Sequence, residues 1–233
     1  MIKVNHITKS FGNIKTFDDF TMEIPDRKIT VILGPSGCGK STFLNILADL
    51  VEIDKGNVIV TKDIGYLFQE PRLLPWLTIR QNINLVLRDK MPAVEVEKRI
   101  KDNLEATGLL DYADSYPSQL SGGMLQRAAM ARAFSYDASL LLMDEPFKSL
   151  DLKTRYQLLT DFLAIWLKKP RTVIMVTHDP QEAVKLGDKI VIFPNKPIHK
   201  SQEIIIDIPQ AEREIDGKLF EIEKELISIL LQF

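Results

Sequence analysis

A glycine-rich segment between an apolar run and a helical pattern constrains the fold of this chain most strongly. Residues 34–42 follow the β-branched run Ile29–Leu33 and precede the helical pattern Phe43–Leu50. Glycines let backbone N–H groups converge on one anion, and the positive amino terminus of the next helix adds to the attraction. The spacing and context are those of the G-x-x-x-x-G-K-[ST] motif. A triphosphate site is therefore predicted in a strand–loop–helix unit, formed by Gly34, Pro35, Ser36, Gly37, Cys38, Gly39, Lys40, Ser41 and Thr42.

Three side chains of this loop have separate interpretations. The Lys40 ammonium is predicted to bridge the β- and γ-phosphates, and the Ser41 hydroxyl is predicted to ligate Mg²⁺. Cys38 is interpreted as a small filler of the loop and not as a redox group. Because it is the only cysteine in the chain, an internal disulfide is excluded.

A second candidate feature is a pair of acids at the end of an apolar run. The run Leu140–Met143 is followed directly by Asp144 and Glu145. Carboxylates at the end of a buried strand are costly unless they bind a cation or transfer a proton. Asp144 is therefore predicted to hold Mg²⁺ through water, and Glu145 to act as the general base or to polarise the attacking water.

Strand-length apolar runs alternate with helical patterns, which favours an α/β fold. Helices are predicted over 151–167 and 92–107, the second followed by Gly108 as a left-handed cap. The stretch from about Pro71 to Tyr136 contains no convincing strand and is interpreted as a helical insertion. The remaining patterns predict strands at 2–7, 20–24, 29–33, 58–60, 64–68, 140–143, 173–176, 190–193 and 203–208, and a final helix over about 216–231.

Composition narrows the class of protein further. The formal net charge is −2 and the basic residues form no block, so binding to nucleic acid is not expected. No apolar run approaches the roughly 18 residues that span a bilayer, and no signal peptide opens the chain, so a cytoplasmic location is expected. The three histidines are scattered, which argues against a histidine-based metal cluster.

A third motif separates the remaining possibilities, since the first two would equally fit small-molecule kinases and helicase-like motors. Leu120–Arg127 reads LSGGMLQR, and Ser121, Gly122 and Gly123 open a helical pattern that forms a second anion-binding helix terminus. This segment resembles the LSGGQ signature of ATP-binding cassette (ABC) proteins. The resemblance extends over residues 1–195.

The resemblance implies an architecture and an assembly. The expected fold is an α/β P-loop NTPase with a RecA-like core sheet, a small antiparallel β subdomain and an inserted α-helical subdomain. We expect a single domain over 1–233, with the helical subdomain at about 71–136 and a C-terminal extension at about 196–233. In the family, two subunits pair head to tail, and each ATP, with its Mg²⁺, lies between the phosphate loop of one and the signature of the other.

The same resemblance implies roles for four further positions. Gln69 resembles the glutamine that contacts Mg²⁺ and the attacking water, and His178 resembles the switch histidine that contacts the γ-phosphate. The segment 149–151, which ends in Asp151, resembles the loop that crosses to the opposite subunit and its nucleotide. Phe11 resembles the aromatic residue that stacks on adenine, with a core position as the alternative.

The segment Gln69–Ile79 resembles that of ATPases from bacterial importers for nitrate, sulfonates, taurine and related solutes. Trp76, with Leu73 and Leu74, would suit an apolar groove for a helix of the membrane subunit; the alternative is that these side chains only pack the helical insertion. The implied partners are a second ABC ATPase subunit, expected to form a homodimer, membrane permease subunits and an extracytoplasmic solute-binding protein, with the ATPase on the cytoplasmic face of the membrane. An exporter ATPase and a non-transport ABC ATPase remain as alternatives.

Overall fold

The computed structural model describes residues 1–148, 150–213 and 218–232. The strands are β1 Ile2–Phe11, β2 Ile14–Ile24, β3 Ile29–Leu33, β4 Lys55–Ile59, β5 Ile64–Leu67, β6 Leu140–Asp144, β7 Thr172–Val176, β8 Lys189–Ile192 and β9 Gln202–Ile205. The α-helices are α1 Lys40–Leu47, α2 Ile79–Leu87, α3 Ala93–Ala106, α4 Gly122–Ser135, α5 Leu152–Lys168, α6 Pro180–Leu186 and α7 Lys218–Leu230.

The main sheet has the strand order β5-β6-β7-β3-β8-β9, in which β9 runs antiparallel to the other described strands. Every residue of β3, β6, β7 and β8 is buried, because α4, α5, α6 and α7 cover one face of the sheet and α1 with strands β1 and β2 covers the other. The order places β6, β7 and β3 side by side. Their carboxyl ends therefore meet at one edge of the sheet, which is where open α/β folds bind ligands.

A second, antiparallel sheet joins β2, β1 and β4 in that order. It packs on α1 through an aromatic cluster of Phe17, Phe20, Phe43 and Phe193. Ring centroids in this cluster lie 5.5–6.1 Å apart in tilted or edge-to-face pairs, which are the favoured geometries for aromatic contacts. The cluster fixes α1 and the loop before it against both sheets.

Helices α2, α3 and α4 form a separate apolar core within residues 71–136, all of which the structure describes and none of which lies in a strand. Ile83 of α2 and Ile100 of α3 are fully buried in this core. Thr78 caps α2 through a reciprocal pair of bonds with Gln81. The capping fixes the direction in which the preceding loop enters the helix.

The C-terminal segment differs in detail from its prediction. The predicted strand at 203–208 ends at Ile205, and Ile206 is already buried against the core beyond it. Asp216, the predicted start of the last helix, lies outside the described residues, and the described helix is α7. Leu226 of α7 is fully buried, so this helix packs on the domain. Among the described helices, none is both long and apolar enough to cross a membrane.

Candidate functional site

The phosphate loop lies between β3 and α1, at the sheet edge described above. Gly39 has φ +120°, and a Cβ atom there would approach Thr16 Cγ2 to 2.6 Å. Both the backbone conformation and the space therefore require glycine at this position. The side chain of Lys40 is 5% exposed, and its ammonium donates to the carbonyl oxygens of Gly34 at 2.8 Å and Pro35 at 2.9 Å. The positive charge of the Lys40 ammonium is thus held over the phosphate loop.

Ser41 and Asp144 meet at the base of this loop. The Ser41 hydroxyl donates to Oδ1 of Asp144 at 3.0 Å, which joins the start of α1 to the end of β6. Burial raises the pKa of Asp144, the Ser41 hydrogen bond lowers it, and the adjacent Glu145 raises it further. A hydroxyl–carboxylate pair offers two of the oxygen ligands that Mg²⁺ prefers. The donor set at this position therefore fits Mg²⁺.

Glu145 adopts a backbone conformation that its residue type disfavours. Its φ is +43°, a left-handed value that costs a non-glycine residue on the order of 1–2 kcal/mol. Its N–H donates to the carbonyl of Val176 on β7 at 2.9 Å, which holds this conformation. Its Oε2 lies 2.5 Å from Lys148 Nζ and 3.4 Å from His178 Nδ1. The carboxylate therefore points to the edge where β6 and β7 end.

Two other predicted residues have exposed side chains. Gln69 follows β5, the neighbour of β6, and is exposed. Phe11 ends β1 and is 49% exposed, with Lys9 Nζ 5.1 Å from its ring centroid. This exposure excludes the alternative that Phe11 is a core residue. An exposed aromatic face beside a cation can accept a planar base by stacking.

The signature residues lie on a different element. Ser121 caps α4, its hydroxyl accepting the N–H of Met124 at 3.4 Å, and Gly122 and Gly123 form the first turn. Within the described part of the chain, no hydrogen bond or ion pair joins these three residues to the phosphate loop. The chain therefore carries two helix termini suited to anions at separate places.

Asp151, the last residue of the predicted crossing segment, caps α5 by accepting the N–H of Thr154 at 3.0 Å. Ser149, which belongs to the same segment, lies outside the described residues. The helix predicted from Asp151 thus begins at Leu152, with Asp151 as its cap.

Side chains that the sequence patterns did not single out also contact this region. Gln126 of α4 is buried, and its amide donates to the carbonyl of Pro146 at 2.6 Å, which joins the signature helix to the loop after Glu145. Lys148 pairs with Glu145, as described above. Glu182 of α6 is 4% exposed and binds the hydroxyl of Thr177. A hydrophobic pattern cannot show such polar partners, because they lie on other elements.

Burial raises the pKa of Glu182 to about 7; the Thr177 hydrogen bond acts in the opposite direction, and the Asp179 and Glu145 charges add to the rise. In the unfolded chain, a glutamate has a pKa of about 4.3. Between about pH 5 and 7 the folded protein therefore binds more protons, so its free energy of unfolding should fall as pH rises and level off above 7. Glu182→Gln should flatten this slope in urea unfolding at pH 5, 6, 7 and 8. An unchanged slope would contradict the shift.

The fold and the strand-end site define a P-loop nucleoside-triphosphatase. The ABC transporter family model matches residues 17–148. The aliphatic sulfonates import ATP-binding protein SsuB of Bacillus thuringiensis subsp. konkukian is 40% identical over 225 residues, covering 90% of this chain and 88% of the relative. The chain therefore belongs to the ABC transporter family, and it is an ATPase cassette of that family.

Solved structures support the same assignment. The dimeric structure of MJ0796, a bacterial ABC transporter cassette, matches with a TM-score of 0.77 and 31% identity, over 87% of this chain and 98% of that one. A post-hydrolysis dimeric state of MJ0796 bound to ADP and Pi matches with a TM-score of 0.77 and 30% identity, over 90% of this chain and 100% of that one. The predicted fold class is confirmed.

Proposed function

We propose that two copies of this chain bind two ATP molecules head to tail and couple their hydrolysis to solute import through a separate membrane permease. The observation that supports the proposal is the contact of Ser41, which follows β3 and the phosphate loop, with Asp144 at the end of β6, directly beside Glu145. A phosphate loop, a Mg²⁺-type donor pair and a candidate base thereby lie at one edge of the sheet. The signature on α4 is the second half-site, and the dimeric MJ0796 cassette supports pairing.

In the proposed reaction, each side chain acts on the γ-phosphate or on the attacking water. Lys40 and the loop N–H groups bind the phosphates and offset the negative charge that develops on them. Glu145 accepts the proton of the attacking water, and His178 and Gln69 position that water against phosphorus. Phe11 stacks on the adenine ring. The second subunit contributes Ser121, Gly122, Gly123 and Asp151 to the same nucleotide.

The Mg²⁺ that accompanies ATP would be held by Ser41 and Asp144, with Gln69 as a further ligand. The chemistry supplied by the ion would be to offset part of the negative charge on the phosphates. The residues of the chain have the donor chemistry for this: a hydroxyl, a carboxylate and an amide oxygen. Burial raises the pKa of Asp144 and so disfavours its ionised form. A cation at this position would favour the ionised form and act against the effect of burial.

The direction and class of transport are inferred from relatives. SsuB is an import ATP-binding protein for aliphatic sulfonates, and the segment Gln69–Ile79 resembles that importer group. We infer permease subunits and an extracytoplasmic solute-binding protein as partners, with this chain on the cytoplasmic face of the membrane. The solute belongs to the nitrate, sulfonate or taurine type.

The loop before α2 has the properties expected of a permease contact. Trp76 lies at the tip of this loop and is 69% exposed. The side chain of Asn82, fully buried on α2, donates to the carbonyls of Leu74 at 3.1 Å, Leu77 at 3.1 Å and Thr78 at 3.0 Å. It also accepts the N–H of Leu74 at 2.7 Å. These bonds hold the backbone on both sides of Trp76, and a pre-ordered loop lowers the entropy cost of using Trp76 as an interface anchor.

Trp76→Ala tests this contact. Loss of a central aromatic anchor costs an interface at least about 2 kcal/mol, or roughly 30-fold in affinity. We expect ATP-dependent solute uptake by the reconstituted transporter to fall about that much, while hydrolysis by the isolated chain stays unchanged. Phe220→Ala, which removes an exposed aromatic on α7, is the control and should retain uptake. Equal uptake by both variants would contradict the permease contact.

A further inference from the structure

The backbone on both sides of His178 is held by one buried hydroxyl group that no step of the proposed hydrolysis uses. The Thr177 hydroxyl donates to Oε2 of Glu182 at 2.6 Å and accepts the N–H of Asp179 at 3.1 Å. Thr177 and Glu182 are both buried, so water does not compete for these bonds. The residues that immediately precede and follow His178 are therefore tied to the same atom.

A second connection links this segment to α5. Arg155 Nη1 donates to Oδ2 of Asp179 at 2.7 Å. The other carboxylate oxygen of Asp179 accepts the N–H of Gln181 at 2.8 Å and caps α6. Arg155 lies one turn after Asp151, the cap of α5. The first turn of α5 is thus connected to the residue that follows His178.

His178 itself is held weakly by its side chain. Half of that side chain is exposed, and its Nδ1 lies 3.4 Å from Oε2 of Glu145, a long contact for a hydrogen bond. Its position relative to a γ-phosphate therefore depends on its backbone. A misplacement of about 1 Å can cost on the order of 100-fold in rate, so the bonds that order this backbone matter for catalysis.

We propose that Thr177, Glu182 and Arg155 are positioning residues for His178, and that Arg155 connects its position to the segment ending in Asp151. The proposal rests on the role proposed above for His178 in hydrolysis. The three residues need not contact nucleotide: they determine where the imidazole lies when ATP is bound. Their loss should therefore lower kcat and leave ATP affinity unchanged.

Thr177 offers a near-isosteric test. Thr177→Val removes the hydroxyl and keeps the volume, whereas Thr177→Ser keeps the hydroxyl. We expect Thr177→Val to lower kcat at least 10-fold with the Kd for a fluorescent ATP analogue within about 3-fold of the parent, and Thr177→Ser to restore most of the rate. Equal kcat values for Thr177→Val and the parent would overturn the proposal.

Glu182 provides the other half of the same bond. Glu182→Gln retains an oxygen that accepts from Thr177, and Glu182→Met removes it at similar length. Glu182→Met should lower kcat about as much as Thr177→Val does, whereas Glu182→Gln should leave kcat near the parental value. The double variant Thr177→Val/Glu182→Met should have a kcat no lower than that of either single variant. Additive losses would show two independent effects and overturn the shared-bond account.

Arg155→Met tests the connection to α5 and should lower kcat, with Arg155→Lys restoring part of it. Val184→Ala, a buried change on α6 away from these bonds, is the control for lost stability. If Val184→Ala and Arg155→Met lower the melting temperature equally and also lower kcat equally, the loss of kcat in Arg155→Met comes from lost stability and the proposal fails. A parent chain that binds ATP without hydrolysing it would instead reject the proposed function.

Discussion

Glu145→Gln is expected to bind ATP with parental affinity and to hydrolyse it about a thousand-fold more slowly, within the 10²–10⁴-fold range of a general base. The carboxylate lies at the edge where β6 and β7 end, 3.4 Å from His178 Nδ1. The amide has nearly the same shape, so the phosphate loop and Asp144 remain in place. The capacity to accept a proton is lost, together with the ion pair to Lys148.

The measurement is single-turnover hydrolysis of labelled ATP, with binding followed separately by a fluorescent analogue. Glu52→Gln makes the same chemical change at an exposed position before β4 and should hydrolyse ATP normally. A Glu145→Gln protein with at least a tenth of the parental rate would remove Glu145 from the role of base. Failure of both variants to bind ATP would point to a folding defect instead.

Gly122→Asp is expected to abolish ATP-dependent dimerisation while leaving the fold and ATP binding intact. A Cβ atom at Gly122 would meet nothing within 4 Å, so the side chain has free space in the single subunit. An acid in the first turn of a helix also stabilises that helix. In the proposed dimer, however, the γ-phosphate of the partner's ATP approaches this turn, and juxtaposed like charges cost several kcal/mol.

The test uses the Glu145→Gln background, in which ATP persists, and light scattering after size exclusion with and without ATP. With ATP, the Glu145→Gln parent should shift from monomer to dimer. The Gly122→Asp/Glu145→Gln double variant should stay monomeric even at about 100-fold the concentration at which the parent dimerises, because charge repulsion of several kcal/mol weakens association at least that much. Ala93→Asp places the same acid in the exposed first turn of α3 and should dimerise normally. An ATP-dependent dimer of the Gly122→Asp variant would contradict the composite site.

The phosphate loop and the two acids at the end of β6 could be located from sequence because their signals are local. A glycine spacing flanked by a strand and a helix is complete within about fifteen residues, and burial of a run such as Leu140–Met143 follows from its apolar character. The resemblance at Leu120–Arg127 then indicated which class of P-loop protein carries them, and the family match agrees. Roles for individual residues remain predictions that the variants above test.

The arrangement around those residues depended on the folded chain. Adjacency of β6, β7 and β3 brings Asp144, His178 and the phosphate loop to one edge, and no local pattern encodes that strand order. The left-handed φ of Glu145 is accompanied by a hydrogen bond to Val176, which is 31 positions away by the difference of their residue numbers. Local preference alone would have disfavoured it.

The pairing of buried polar groups also depended on the folded chain. Arg155 and Asp179, or Gln126 and the carbonyl of Pro146, lie on different elements, so their pairing follows from how helices pack and not from helical periodicity. Hydrophobic spacing tells which face of an element is buried, because water exclusion acts on each element separately. Which donor meets which acceptor inside is settled only when the elements have docked, since a buried polar group must take whatever partner the packing places beside it.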